Sequence, residues 1–244
     1  MTNKVVLVTG SQRGIGKATI IEFASKGFNV VIDYIEEENR AFELKELVEK
    51  EYGVKALAIK ADVREEVEVD KLVKEIIKEF GRIDVLVNNA GIAIDKEFED
   101  RTIDDWKNTL STNLVGQYIV AKRVGEEMLK NKSGKIVNIS STNGINCFFP
   151  TSIDYDASKA GVISLTHNLA LQYAPYINVN AIAPGWVNTE MNKDLPKELI
   201  DEETSKIYIG RFAEAEEIAK VIYFLASDDA RYINGEIIKV DGGY

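Results

Sequence analysis

The stretch Tyr155-Asp156-Ala157-Ser158-Lys159 places a phenol and an ammonium four positions apart. On a helix, positions i and i+4 share a face, so both groups point the same way about one turn apart. Val162, Leu165, Leu169 and Tyr173 supply the apolar spacing of a helix over Tyr155–Ala174. A free phenol has a pKa of about 10, too high for a base at neutral pH. A nearby cation favours the phenolate and lowers that value. The pair is therefore one way to build a general acid/base that works near neutrality. Tyrosine and lysine also meet at this spacing by chance on helix surfaces, so the reading depends on what gathers around them.

Composition narrows the remaining chemistry. With 244 residues, 45% of them apolar, the chain suffices for one large α/β domain. No run of about 18 apolar residues is present to span a membrane. The strand-like run from Lys4 to Thr9 begins almost at Met1, so no signal peptide is expected. Cys147 is the only cysteine, which excludes an intramolecular disulfide and fits a reducing cytoplasm. A net charge of −10 without a long basic run argues against nucleic acid as a partner. The single histidine, His167, excludes a multi-histidine metal site, and its place in the helix suggests a surface or interface residue. Catalysis is expected to use groups other than histidine, and no metal is expected.

The elements that must position the tyrosine alternate along the chain. Val5–Thr9 is a β-branched run without polar alternation, as in a strand buried on both faces. Gly10, Gly14 and Gly16 follow, then a helical pattern over Lys17–Lys26 ending at Gly27, then a strand over Val30–Ile32. Strand, glycine-rich turn, helix and strand form the nucleotide-binding βαβ unit, in which the helix N-terminus faces a pyrophosphate. The spacing is not G-x-G-x-x-G, so the signal rests on the place of the turn directly after the strand. Further strands are expected over Val54–Lys60, Ile83–Val87, Lys135–Ser140, Ile177–Ala183 and Gly235–Val240. Helices are expected over Glu37–Glu51, Val67–Phe80 and Ala215–Ala226. A long helix runs from a Thr102 cap to about Lys130, with Asn113, a poor helix former, in its middle. The fold class is α/β: a single domain over residues 1–244, a doubly wound parallel sheet with helices on both faces. The polar segment of about 188–211, with one helical piece near Lys197–Lys206, is expected to be a small lid.

Ligands of such sheets bind at the carboxyl ends of the strands. The Gly10–Gly16 turn, Asn88–Gly91, Ser141 and Pro184-Gly185 all fall there, and the Tyr155 helix starts beyond the same edge. After the second strand, acidic residues would favour the ribose hydroxyls of NAD and a basic one the 2′-phosphate of NADP. Asp33, Glu36, Glu37 and Glu38 point to the first, Arg13 to the second, and the glutamates also suit a helix start.

Over essentially its whole length the chain resembles the short-chain dehydrogenases/reductases. The motifs are Thr9-Gly10-x-x-x-Gly14-x-Gly16, Asp62-Val63, Asn88-Asn89-Ala90-Gly91, Asn113, Ser141, Tyr155-x-x-x-Lys159 and Pro184-Gly185 with Thr189, in order and at near-family separations. The resemblance implies a Rossmann fold and an NAD(P)(H)-dependent oxidoreductase that interconverts a carbonyl and a secondary alcohol. It makes Tyr155 the general acid/base. Lys159 would lower the pKa of Tyr155 and hold the nicotinamide ribose, and Ser141 would orient the carbonyl oxygen. Asn113 would hold a backbone kink and a water of a proton relay. It further implies cofactor contacts from Gly10, Gln12, Arg13, Gly14, Ile15 and Gly16, and from Asp33 and Tyr34. Asp62 and Val63 would flank the adenine, and Asn89, Ala90 and Gly91 the ribose. Pro184, Gly185, Val187 and Thr189 would hold the nicotinamide amide. Asp33-Tyr34 looks more like relatives that use NADP, with Asn replaced by Asp, so NADP(H) is favoured over NAD(H).

Within the family the chain is most similar to 3-oxoacyl-(acyl-carrier-protein) reductases, then to sugar and polyol dehydrogenases and small-carbonyl reductases. The expected partner is a small-molecule or acyl-thioester carbonyl substrate. Two basic positions usually receive the acidic carrier protein; here they are Lys132 and Tyr176, of which the second is not basic. The Ser141–Tyr155 gap is one residue longer than in many relatives, and Cys147-Phe148-Phe149-Pro150 within it suggests an apolar substrate wall or a subunit contact. Nothing basic lies near Cys147 in sequence, so that thiol is expected to be inert. The family implies a homotetramer built through the two long helices (about 104–130 and 155–174) and the C-terminal strand, and on the helices Val120, Val124 and Leu171 offer apolar surface. A non-catalytic cofactor-sensing regulator is a remote alternative, opposed by the presence of both Tyr155 and Lys159.

Overall fold

A computed structural model describes residues 4–244; residues 1–3 of the expected domain lie outside the described residues. Seven parallel strands form one sheet: β1 (Val5–Val8), β2 (Asn29–Tyr34), β3 (Ala56–Lys60), β4 (Val85–Asn88), β5 (Gly134–Ile139), β6 (Ile177–Pro184) and β9 (Ile237–Val240), in the order β3-β2-β1-β4-β5-β6-β9. Two short strands, β7 (Val187–Asn188) and β8 (Ala213–Glu214), pair separately.

Successive strand residues face opposite sides, so a continuous apolar strand feeds two cores. Val6 and Val8 of β1 pack with Ile20 and Phe23 of α1 (Gly14–Ser25), with Leu44 of α2 (Glu38–Tyr52), and with Ile218 and Ile222 of α8 (Ala215–Ala226). Val5 and Leu7 pack on the other face with Leu72 of α3 (Glu66–Phe80) and with Val120 and Val124 of α5 (Gly116–Lys130). Each fully buried side chain of this size contributes about 1.5–3 kcal/mol, which fixes the layers and hence the strand edge that carries the site.

Four expectations are revised. The second strand reaches Tyr34, because Asp33 and Tyr34 pair with Ile59 and Lys60 of β3. The helix expected from Thr102 to Lys130 is α4 (Ile103–Leu110), one π-helical turn at Ser111–Val115, then α5. Thr102 does cap α4, exchanging hydrogen bonds with Asp105. The tyrosine helix, α6 (Ile153–Tyr173), begins before Tyr155. Val120 and Val124 are core residues rather than outward surface, whereas Leu171 is 80% exposed. Helix α7 (Lys197–Lys206) occupies the polar segment, and His167 lies on the exposed side of α6. Among the described residues no helix is long and apolar enough to cross a membrane.

Candidate active site

The order β3-β2-β1-β4-β5 reverses its winding between β1 and β4, and there the two following loops part to leave a crevice. A cleft of about 670 Å³ opens at the carboxyl ends of these strands, a size ordinary for cofactor and small-molecule sites. Gly10 has φ +59° and Gly14 φ +54°, left-handed conformations that a β-carbon would strain. Gly16 does not line the cleft: a β-carbon there would stand 2.7 Å from Asn89 Nδ2 and from Ser11 Cα. Its role is to let α1 start against the β4 loop. That loop is lashed to the turn: Asn89 Nδ2 donates to the Thr9 and Gly10 carbonyls at 2.9 and 3.0 Å, and Thr9 Oγ1 accepts from the Asn89 and Ala90 amides at 3.0 Å.

Of the residues expected to meet the cofactor, Gly10, Gln12, Arg13, Gly14, Ile15, Asp33, Asp62, Val63, Asn89, Ala90, Gly91, Tyr155, Lys159, Pro184, Gly185, Val187 and Thr189 line this cleft. Tyr34 does not. Strand alternation turns it away from Asp33, toward Phe42 and the Glu38 carboxylate, to which its hydroxyl donates at 2.9 Å. Asp33 is 1% exposed; its Oδ2 accepts from the Gly10 amide at 3.1 Å and its Oδ1 has no partner. Burial pushes its carboxyl up to about 7; the Gly10 hydrogen bond pulls the other way, and Asp62 and Glu68 add to the rise. Gln12 Oε1 is a second buried acceptor without a partner on the same wall. Glycines that admit close backbone approach, a helix N-terminus and two unmet acceptors fit a ligand with phosphates and ribose hydroxyls. Arg13 and Arg40 both lie 3.4 Å from Glu37 on the rim.

At the other end, Ser141, Tyr155 and Lys159 line one wall. Lys159 is 3% exposed and its Nζ donates to the Ile139 carbonyl at 2.9 Å. Ser140 Oγ donates to the Lys159 carbonyl at 2.8 Å, tying β5 to α6. The expected lowering of the Tyr155 pKa by Lys159 is absent. Burial pushes the phenol up to about 12, with the Ser141 hydroxyl pulling down and Asp156 pushing up. Burial also lowers Lys159 to about 8. Desolvation outweighs the attraction because the ammonium is fully buried and turned to a backbone carbonyl, while the part-buried phenol keeps only its edge on the cleft.

Asn113 lies behind this wall, fully buried in the π-helical turn. Its Oδ1 accepts from the Ile92 amide at 2.8 Å, and its Nδ2 donates to the Ile92 carbonyl at 2.9 Å and to Ser158 Oγ at 3.0 Å. The residue thus holds the loop after Gly91 and reaches the tyrosine helix. π-turns are rare and favour functional sites.

Other groups complete the lining, of which Trp186, Leu199, Asp95 and Arg64 escaped the sequence reading. Phe149, Trp186 and Leu199 make an apolar wall, with Trp186 edge-on to Phe149 at 5.8 Å and stacked on Phe212 at 5.4 Å. Phe149 lines the cleft, as the apolar-wall reading expects, while Phe148 is 73% exposed. Trp186 Nε1 donates to Glu203 Oε2 of α7 at 2.9 Å, and the Tyr244 hydroxyl reaches the same oxygen. Cys147 also lines the cleft; burial pushes its thiol up, which suits an unreactive sulfur. Asp95 and Arg64 line it too, without a motif that could have marked them. Among the described residues no group of His, Cys, Asp and Glu has the clustering of a metal site.

Residues 10–244 match the family described as enoyl-(acyl carrier protein) reductase. The chain is 40% identical over 242 residues to 3-oxoacyl-(acyl-carrier-protein) reductase FabG of Staphylococcus epidermidis, covering 99% of this chain and 98% of that protein. It is 40% identical over 246 residues to the FabG of Thermotoga maritima, covering 100% and 98%. Among solved structures, levodione reductase superposes with a TM-score of 0.94 at 34% identity, covering 100% of this chain and 98% of that one. A Serratia marcescens short-chain dehydrogenase/reductase variant superposes with a TM-score of 0.93 at 35% identity, covering 98% and 97%.

Proposed function

The chain belongs to the short-chain dehydrogenase/reductase family and is a nicotinamide-dependent oxidoreductase; on that premise we propose that it reduces the 3-keto group of an acyl thioester to the secondary alcohol. The observation that carries this reading is the convergence of Ser141, Tyr155 and Lys159 on one wall of a cleft whose other end is the glycine turn.

A bound nicotinamide cofactor supplies the hydride. Gly10 through Ile15 would receive its pyrophosphate, Asp33, Asp62 and Val63 its adenosine, and Asn89, Ala90, Gly91 and Lys159 its riboses. Pro184, Gly185, Val187 and Thr189 would receive the amide. Ser141 and Tyr155 donate hydrogen bonds to the substrate oxygen as it gains charge; removal of one such donor typically costs roughly 3 kcal/mol. Tyr155 then delivers its proton to that oxygen, and a phenol held near 12 enters the step protonated. Asn113 keeps the wall in place through Ile92 and Ser158. Segment 188–211 acts as the lid of the domain, fastened through Glu203 to Trp186.

NADP(H) is favoured: Arg13 and Arg40 reach Glu37 only loosely, and each can turn to a 2′-phosphate. The unmet Asp33 oxygen supports NAD(H) as the second reading, though a carboxyl near 7 is partly neutral at working pH. A small neutral carbonyl or a polyol is the alternative substrate. Its support is the lack of a second basic docking position: Lys132 lies over the Tyr176 ring, 5.7 Å from its centroid. A cytoplasmic homotetramer completes the proposal, supported by the exposed Val115, Tyr118 and Leu171 along the helices that follow Asn113 and Tyr155.

The deciding experiment is steady-state kinetics with NADPH and NADH against an acetoacetyl thioester, aldoses and cyclic diketones. Turnover of the thioester alone supports the first reading; turnover of aldoses or diketones alone supports the alternative. No turnover with any, despite tight cofactor binding, overturns both.

A further inference from the structure

The most deeply buried ion pair among the described residues lies one residue from the tyrosine. Arg101 Nη1 stands 2.8 Å from Asp154 Oδ1, and the two side chains are 2% and 1% exposed. Arg101 Nη2 donates to the carbonyls of Ile94 at 2.8 Å and Lys96 at 3.3 Å, and to that of Thr151. Asp154 Oδ2 accepts from Thr109 Oγ1 of α4 at 2.8 Å, and Oδ1 accepts from the Tyr155 amide at 3.0 Å. The Lys96 amide donates to the Thr151 carbonyl at 2.9 Å, a second tie between the same segments.

These contacts join three pieces of the site. The loop after Gly91 brings Ile92, Ala93 and Asp95 to the cleft, Thr151 and Ser152 enter α6, and Tyr155 stands in its first turn. All of the arginine's hydrogen bonds come from Nη2; Nη1 meets Asp154 as an ion pair without hydrogen-bond alignment, and the buried Nε has no partner, so the guanidinium joins the segments by charge and by one nitrogen shared among three carbonyls. A buried pair of this kind is weak as a source of stability, since a well-packed apolar pair often serves the fold as well or better. What it supplies is a fixed distance. We propose that Arg101 and Asp154 are positioning residues that lock Tyr155 to the substrate-side loop, so that the phenol meets the carbonyl oxygen at the height set by that loop. Misplacement by about 1 Å can cost a hundredfold in rate.

The inference rests on the reading of Tyr155 as the acid/base, and its test separates the two. Arg101→Met, Asp154→Asn and the double variant Arg101→Met/Asp154→Leu are compared with the full-length enzyme. Cofactor affinity is read by nicotinamide fluorescence, turnover by absorbance, and backbone order by amide hydrogen exchange. The expected result is a fall in kcat of tenfold or more, with the cofactor Kd within twofold. Exchange quickens at the Tyr155 and Lys96 amides but not in the sheet. The double variant, whose apolar pair can pack, stays folded and keeps the low kcat. Arg101→Lys retains the charge but not the fork, and its kcat also falls. Wild-type kcat in any folded single variant overturns the proposal. So do equal losses of cofactor affinity and turnover with faster exchange throughout the sheet, the mark of a purely structural pair. If the wild-type enzyme turns over no carbonyl, the acid/base reading fails instead, and the exchange comparison still decides whether the pair holds Tyr155.

Discussion

Lys159 Nζ lies 5.4 Å from the centroid of the Tyr155 ring while donating to the Ile139 carbonyl. The ammonium is near enough to act on the phenol, yet its nearest hydrogen bond is to the backbone of β5. The phenol sits well above neutral pH in consequence, pushed up to about 12 by burial. It is present almost wholly in the protonated form that reduction uses, and the phenolate that oxidation uses is scarce. Carbonyl reduction should therefore vary little between pH 6 and 9. Alcohol oxidation, which needs the phenolate, should rise toward tenfold per pH unit over the same range. Parallel initial-rate profiles in the two directions check this. Tyr155→Phe should lose at least about a thousandfold in both directions, with cofactor affinity nearly unchanged.

Lys159 is itself held against its preference, lowered to about 8 by burial. A base whose pKa falls on folding is destabilising while charged in both states, and the fold regains stability as pH rises through about 8 toward the unfolded value. Lys159→Met should therefore raise Tm by several degrees at pH 7. The advantage should shrink between pH 8 and 10.5, while turnover is lost throughout. Calorimetric scans at several pH values measure it.

Asp33 presents the opposite sign. Its carboxyl is raised to about 7 chiefly by burial, so the protonated form is favoured in the fold. Stability falls as pH rises from the ordinary carboxylate range to about 7 and then levels. Asp33→Asn should raise Tm more at pH 8 than at pH 5. The same change removes a negative charge from the adenosine end, so the ratio of kcat/KM for NADPH over NADH should rise about tenfold, most clearly above pH 7. A ratio that does not move would show that the carboxylate has no part in cofactor choice.

Gly16 is tested by one methyl group. A β-carbon at 2.7 Å from Asn89 Nδ2 and Ser11 Cα forces the turn and the β4 loop apart, and Ser11 Cα is backbone that cannot swing aside. Gly16→Ala should lower Tm and weaken the cofactor Kd by tenfold or more, whereas Gly27→Ala, far from the cleft with open space beside it, should cost only backbone strain. Titration calorimetry on both proteins separates the effects.

The layers of this fold were readable because apolar runs such as Val5–Val8 and Val85-Leu86-Val87 have no polar face, which admits only a sheet covered on both sides. Tyr155 and Lys159 were readable because helical spacing fixes their common side. What escaped detection depended on contacts distant in the chain. The side on which Tyr34 falls follows from its pairing with Lys60, and the π-turn at Asn113 from hydrogen bonds to Ile92, 21 residues earlier. Arg101 had no motif, since its partner Asp154 lies beyond two helices and a strand. The raised phenol was missed because helical geometry gives proximity but not dehydration, and here dehydration prevails.

The π-helical turn at Ser111–Val115 holds one residue more than an α-helical turn of the same rise. It makes chain length a functional variable. Deleting Thr112 would let the two flanking helices fuse into an uninterrupted rod, a change that ordinary helix energetics favours. Everything before the deletion would then rotate by about 100° relative to the helix beyond it. The Asn113 amide could no longer face Ile92 and the body of α4 at once, and an enzyme shorter by one residue would gain regularity at the expense of its loop anchor.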